Sequence, residues 1–213
     1  KGAIAQSGPA AIIWQPSVAS ALTKKYFAFL GISSDSLQLL KTLPIDTLKH
    51  AEERLMKYMI EETPNKVFSP TIDGKLLKAD IFTCLNPLKS PDVALMIGTN
   101  KDESTMFASK RLKMAPSTAE GLDRELFPVF KPEDKSKVIA AYKDYPKKRA
   151  VLNLLTDAVF RIPAIRLAEN QSQHAAVYMY RFEWSSFLLN VAGLRSFHGL
   201  EIPFVFGNKE GRS

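Results

Sequence analysis

Val93-Ala-Leu-Met-Ile-Gly-Thr-Asn-Lys-Asp-Glu103 sets an apolar run directly before a glycine, a short polar stretch and two adjacent carboxylates. Val93 to Ile97 has the length and the aliphatic content of a buried strand. Gly98 to Glu103 then reads as a loop at its carboxyl end, the edge of an open α/β sheet where sites are built. Working outward, Gly2-Ala-Ile-Ala-Gln6 reads as a second buried strand, stopped by Ser7-Gly8. Ala176-Val-Tyr-Met-Tyr-Arg-Phe-Glu183 alternates and reads as a third, bounded by Ser185-Ser186.

Helical patterns fill the spaces between them. Ser17 to Leu30 carries apolar residues near helical spacing and ends at Gly31, a natural left-handed cap. Asp35 opens a short helix to Leu40. Asp46 caps another, with Leu48, Ala51, Leu55 and Met59 on one face and His50 at its surface. Asp73-Gly74 marks a turn between the apolar stretches of residues 67 to 77. Ser117-Thr-Ala-Glu120 is a capping-box pattern for a helix running to about Phe127, and Pro132 begins another that reaches Tyr142. Lys147 to Asn170 reads as one or two helices, kinked or restarted at Pro163. Strand, helices, strand, helices, strand predicts an α/β fold with a parallel sheet and large helical excursions. Three strands make only part of a doubly wound sheet, so a strand edge is expected to be exposed and prone to self-association.

The remaining chemistry lies in Arg195-Ser-Phe-His-Gly-Leu-Glu-Ile-Pro-Phe-Val-Phe-Gly207. Gly193 and Gly199 permit a tight bend that presents His198 to a cleft. Imidazole takes and returns a proton near neutrality. A carboxylate at the end of the strand would accept the Nδ1–H of His198, fix its tautomer and stabilise the imidazolium. The acid precedes the histidine by 198 − 103 = 95 residues, the chain order of an α/β-hydrolase triad.

Four motifs in series carry a resemblance. They are Lys1-Gly-Ala-Ile-Ala-Gln-Ser-Gly8, Phe68-Ser-Pro-Thr-Ile-Asp-Gly74, Gly98-Thr-Asn-Lys-Asp-Glu103 and Phe197-His-Gly-Leu-Glu-Ile-Pro-Phe-Val-Phe-Gly207. Together they resemble the C-terminal part of a type-B carboxylesterase, the para-nitrobenzyl esterase and cholinesterase group. The resemblance implies an α/β-hydrolase domain of which residues 1–213 are one portion, cut at both ends. It also implies a carboxylic ester as substrate, with no cofactor and no metal. His198 becomes the general base and Glu103 its orienting acid, with Asp102 as the alternative acid. Ser7 is implied to hydrogen-bond the acid, and Glu201 joins Ser7 and Asp102 as a supporting residue. Phe107, Phe160, Phe187 and Phe197 are candidate pocket walls. Ser104 stands where the family usually has glycine, which would cost the loop backbone freedom. Gly-x-Ser-x-Gly occurs nowhere in the sequence, so the resemblance places the nucleophile before residue 1. A chain on this fold acting as a non-catalytic adhesion or scaffold protein is the alternative reading.

Composition narrows the partners. Hydrophobic residues make up 46% of the 213, enough to bury a core. The formal net charge of +7 is spread along the chain, and its densest cluster, Lys147-Lys-Arg149, has no interleaved aromatics, which argues against nucleic acid. No apolar run approaches the length of a membrane span. Cys84 is the one cysteine, which excludes an intramolecular disulfide and favours a reducing, cytoplasmic setting. Its apolar neighbours read it as a small core residue.

Overall fold

A computed structural model describes residues 1–9, 12–33, 35–62, 68–79, 92–127 and 131–208. Cys84 and the start of the 67–77 stretch lie outside them. The contacts divide the chain into two compact units, one of residues 1–11 with 81–213 and one of residues 12–80. Among the described residues no helix is long and apolar enough to cross a membrane.

The first unit is built on a three-stranded sheet in the order β1 (Gly2–Gln6), β2 (Ala94–Asn100), β3 (Val177–Phe182). Both pairings are parallel, with Ile4 beside Met96 and Met96 beside Tyr178. Parallel strands need long crossovers, and helices supply them. Leu95 and Ile97 on one face pack against Ala164 and Ala168 of helix Ile162–Ser172. The row Ile4, Met96, Tyr178 on the opposite face is exposed.

Two strand expectations are corrected. β1 is not buried: Ile4 is 69% exposed, because β1 is an outer strand and its Ile4 row carries no packing among the described residues. β2 does not stop at Ile97. It runs on through Gly98-Thr-Asn100, whose pairing with Tyr180, Arg181 and Phe182 outweighs their polar character. Gly98 is required there, since a Cβ would lie 2.2 Å from the Tyr180 ring.

The helices differ from expectation mostly at their ends. Helix Ala119–Glu125 is capped by Thr118, whose hydroxyl accepts from the Gly121 N–H, rather than by Ser117. Lys148–Thr156 continues through a π-helical turn, Asp157–Arg161, into Ile162–Ser172. Pro163 lies in the first turn of that last helix. The wide turn just before it accommodates a ring that donates no N–H and would crowd an α-helical carbonyl. A second core in this unit joins Leu122, Phe127, Val151, Leu154 and Leu155. Helix Pro132–Ala140 ends two residues early, and the Tyr142 phenol beyond it donates to Asp157 at 2.8 Å.

In the second unit, helix Pro16–Leu30 ends on Gly31 at φ 70°, and the Gly31 and Ile32 N–H groups fold back on Ala28 and Phe27. Helix Ile45–Glu62 takes its first main-chain bond from Leu48 N–H to the Pro44 carbonyl, so Asp46 sits inside the first turn and not at the cap. Its carboxylate still favours the positive end of the helix dipole. Trp14, Leu22, Leu55 and Met59 form the core. The short helix expected from Asp35 is a 3₁₀ segment, Leu37–Lys41. His50 is exposed, its Nδ1 2.7 Å from the Asp46 carbonyl.

Candidate active site

β2 delivers the acid. Past Asn100 the chain turns through Lys101, Asp102 and Glu103 into the single helical turn Ser104–Phe107. Glu103 is 0% exposed. A buried carboxylate needs donors on its oxygens, and it has two. The Asn100 N–H reaches Oε1 at 2.6 Å, and His198 Nδ1 lies 2.7 Å from Oε2. An ionised carboxylate only accepts, so with Glu103 in that form the shared proton would sit on Nδ1 and leave the Nε2 lone pair free. The imidazole side chain remains 30% exposed, a route by which a reacting group can reach it.

Two phenyl rings fix the plane of that imidazole. Phe107 and Phe160 stack with centroids 6.0 Å apart, and the His198 ring lies 5.1 Å from the first and 5.3 Å from the second. Phe160 belongs to the π-helical turn, a distortion that recurs at functional sites. Phe107 and Phe160 are thus brought to the histidine. Phe187 is not, being exposed on the short helix Phe187–Val191, and Phe197 joins through its main chain.

The loop bearing His198 is clasped to the acid turn. Arg195, at φ 56°, together with Gly193 and Gly199, at φ 74° and 83°, makes the bend that the glycines foretold. Ser196 is fully buried. Its N–H donates to Asp102 Oδ2 at 3.3 Å, its carbonyl accepts the Asp102 N–H at 3.0 Å, and its hydroxyl donates to the Phe182 carbonyl at 2.8 Å. The second Asp102 oxygen receives Arg149. Asp102 therefore faces Arg149 and Ser196, and Glu103 faces the imidazole. The Thr105 hydroxyl lies 2.5 Å from the Leu194 carbonyl and 2.7 Å from that of Asp102.

Ser104 has no positive φ, so a side chain there is not strained, and its N–H donates to Thr156 Oγ1 at 3.2 Å. Glu201 is buried and accepts from Asn100 Nδ2 at 2.5 Å. Ser7 is buried at φ 52°, and its N–H donates to the Gly98 carbonyl at 2.8 Å. Its hydroxyl makes no hydrogen bond among the described residues. Burial pushes the Tyr180 phenol up, the neighbouring Gln6 side chain opposes this, and the Glu201 and Glu103 carboxylates push it further. Asn100, Thr105, Arg149 and Ser196 were not singled out from the sequence, where each looks like an ordinary loop, strand-end or helix residue.

A parallel sheet whose carboxyl ends carry an acid loop and a histidine loop defines the α/β-hydrolase class. The sequence profile of the carboxylesterase family matches residues 1–213, and the chain belongs to that family. It is 30% identical over 210 residues to a para-nitrobenzyl esterase of Bacillus subtilis (strain 168), covering 98% of this chain and 41% of that one. A solved para-nitrobenzyl esterase structure superposes with a TM-score of 0.77 at 28% identity, over 100% of this chain and 44% of its own. The carboxylesterase EST55 of Geobacillus stearothermophilus gives 0.74 at 26% identity, over 100% and 42%. The chain thus spans about two fifths of the length of these relatives.

Proposed function

We propose that these residues are the acid–base part of a serine carboxylic ester hydrolase, with His198 as general base and Glu103 as its orienting acid. The 2.7 Å contact between buried Glu103 and part-exposed His198 carries the reading. A serine hydroxyl attacks the acyl carbonyl of a small carboxylic ester while His198 Nε2 takes its proton. The C–O bond to the leaving group then breaks, and the same proton goes to the departing alkoxide. Water repeats the sequence on the acyl-serine and frees the acid. Glu103 stays ionised throughout, holding the imidazole and offsetting its transient charge. Phe107 and Phe160 keep the ring in plane and shield one side from water.

The nucleophile and the oxyanion donors come from residues other than these 213, since no Gly-x-Ser-x-Gly is present. Residues 1–213 alone therefore do not turn over esters. The test has two parts. Residues 1–213 are offered a short-chain p-nitrophenyl ester and a serine-directed organophosphate, and neither turnover nor stoichiometric labelling is expected. In a protein that also carries the serine, His198→Ala should lower turnover by about 10⁴-fold or more with KM little changed. Labelling of a serine within 1–213, or near-normal hydrolysis by the variant, would overturn the proposal.

A further inference from the structure

Asn100, the last residue of β2, touches the acid itself and the residue that precedes the base. Its main-chain N–H donates to Glu103 Oε1 at 2.6 Å. Its side-chain nitrogen donates to the Phe197 carbonyl at 2.7 Å and to Glu201 Oε2 at 2.5 Å. An amide nitrogen carries two hydrogens, and two acceptors meet them. Turned over, the group would set its oxygen against a carbonyl and a carboxylate, so the network admits one orientation. Asn100 Oδ1 is buried without a hydrogen-bond partner among the described residues. An unpaired buried acceptor costs free energy, so this side chain is held for its two donors.

Phe197 immediately precedes His198, so the bond to its carbonyl fixes the peptide plane from which the imidazole is hung. On the far side the chain passes through Gly199 at φ 83°, a residue that adds no stiffness of its own. Glu201 braces the Asn100 amide from the other direction. It lies at the start of helix Ile202–Val205 and is buried.

We infer that Asn100 is a positioning residue for the Glu103–His198 pair, acting on the acid through its main chain and on the histidine loop through its side chain. The inference rests on reading that pair as the acid and base. Acceptors on both Phe197 and Glu201 make asparagine irreplaceable by its isostere. Aspartate has the same shape but would point an oxygen at each of them.

The experiment uses residues 1–213 with ¹⁵N-labelled histidine, at a pH where imidazole is neutral. The three histidines are assigned with His50→Gln and His174→Gln. His198 should show one tautomer, with the proton on Nδ1. In Asn100→Asp the population protonated on Nε2 should rise about tenfold or more, the factor carried by one lost hydrogen bond. Glu201→Gln keeps an acceptor oxygen and should preserve the single tautomer, while Glu201→Ala should shift it in the direction of Asn100→Asp. A folded Asn100→Asp chain with an unchanged tautomer, beside a Glu103→Ala chain that scrambles it, would overturn the role of Asn100 and leave the pair standing. A Glu103→Ala chain with an unchanged tautomer would overturn the pair itself. Should Asn100→Asp not fold, equal tautomer populations in Glu201→Gln and Glu201→Ala would overturn the inference.

Discussion

Replacing Asp102 by alanine should destabilise the sheet-bearing unit by about 3 kcal/mol, as the sum of two partners left behind. Its side chain is 4% exposed, and each carboxylate oxygen has one donor, Arg149 or the Ser196 N–H. The Ser196 N–H belongs to a fully buried residue and would be left unsatisfied, a loss of about 1–3 kcal/mol. Arg149 counts for less. Its side chain is 37% exposed, so water replaces much of the ion pair and the loss there is about 1 kcal/mol. The main-chain bond from Asp102 to the Ser196 carbonyl survives. At about 2–4 °C per kcal/mol for a chain of this size, the melting temperature should fall by roughly 6–12 °C. Asp102→Asn keeps an oxygen for Ser196 and should recover about half of the loss. Urea and thermal unfolding followed by circular dichroism measure both variants. A change below about 0.5 kcal/mol in Asp102→Ala would refute the reasoning, since that is the range of an ordinary surface substitution.

Two further outcomes are expected. Burial raises the phenols of Tyr26, Tyr142, Tyr145 and Tyr180, with Asp157 adding to Tyr142 through a hydrogen bond. The fold therefore favours the neutral form: stability is held below the unfolded-chain value of about 10 and lost as pH rises above it, with a slope that Tyr142→Phe should flatten and that urea midpoints at about pH 9 and about pH 11 would measure. The exposed row Ile4, Met96, Tyr178 on an outer-edged sheet should make residues 1–213 self-associate as concentration rises, and Met96→Lys should lower the sedimenting mass, whereas a concentration-independent monomer would contradict this.

What could be read from the sequence divides along physical lines. The three strands, the helical excursions between them and a carboxylate at a strand end placed to meet His198 were legible, because apolar runs, glycine bends and titratable side chains at strand ends are local signals; the choice of Glu103 over Asp102 came from the family resemblance. The continuation of β2 through Gly98-Thr-Asn100 was not. Those residues look like a loop until Tyr180, Arg181 and Phe182 are set beside them. The π-helical turn at Asp157–Arg161 has no sequence period of its own, and Pro163 was its one outward sign.

The residues that hold the site were invisible for a related reason. Asn100 acts on a carbonyl 97 residues away, and the Ser196 N–H on a carboxylate 94 residues away. Small polar side chains of this kind are common at any surface, and here the aligned strand ends and the clasp of the histidine loop on the acid turn make them interior. Their partners are largely main-chain groups, which every residue type carries and no composition or spacing can mark. A histidine and a glutamate announce the chemistry they can perform. The loop and the turn that carry them are tied together by contacts of Asn100 and Ser196 that exist only once the strand ends are aligned. In a hydrolase of this class, substitutions at such positions should therefore disturb the orientation of the imidazole while leaving the histidine and its acid unchanged in the sequence.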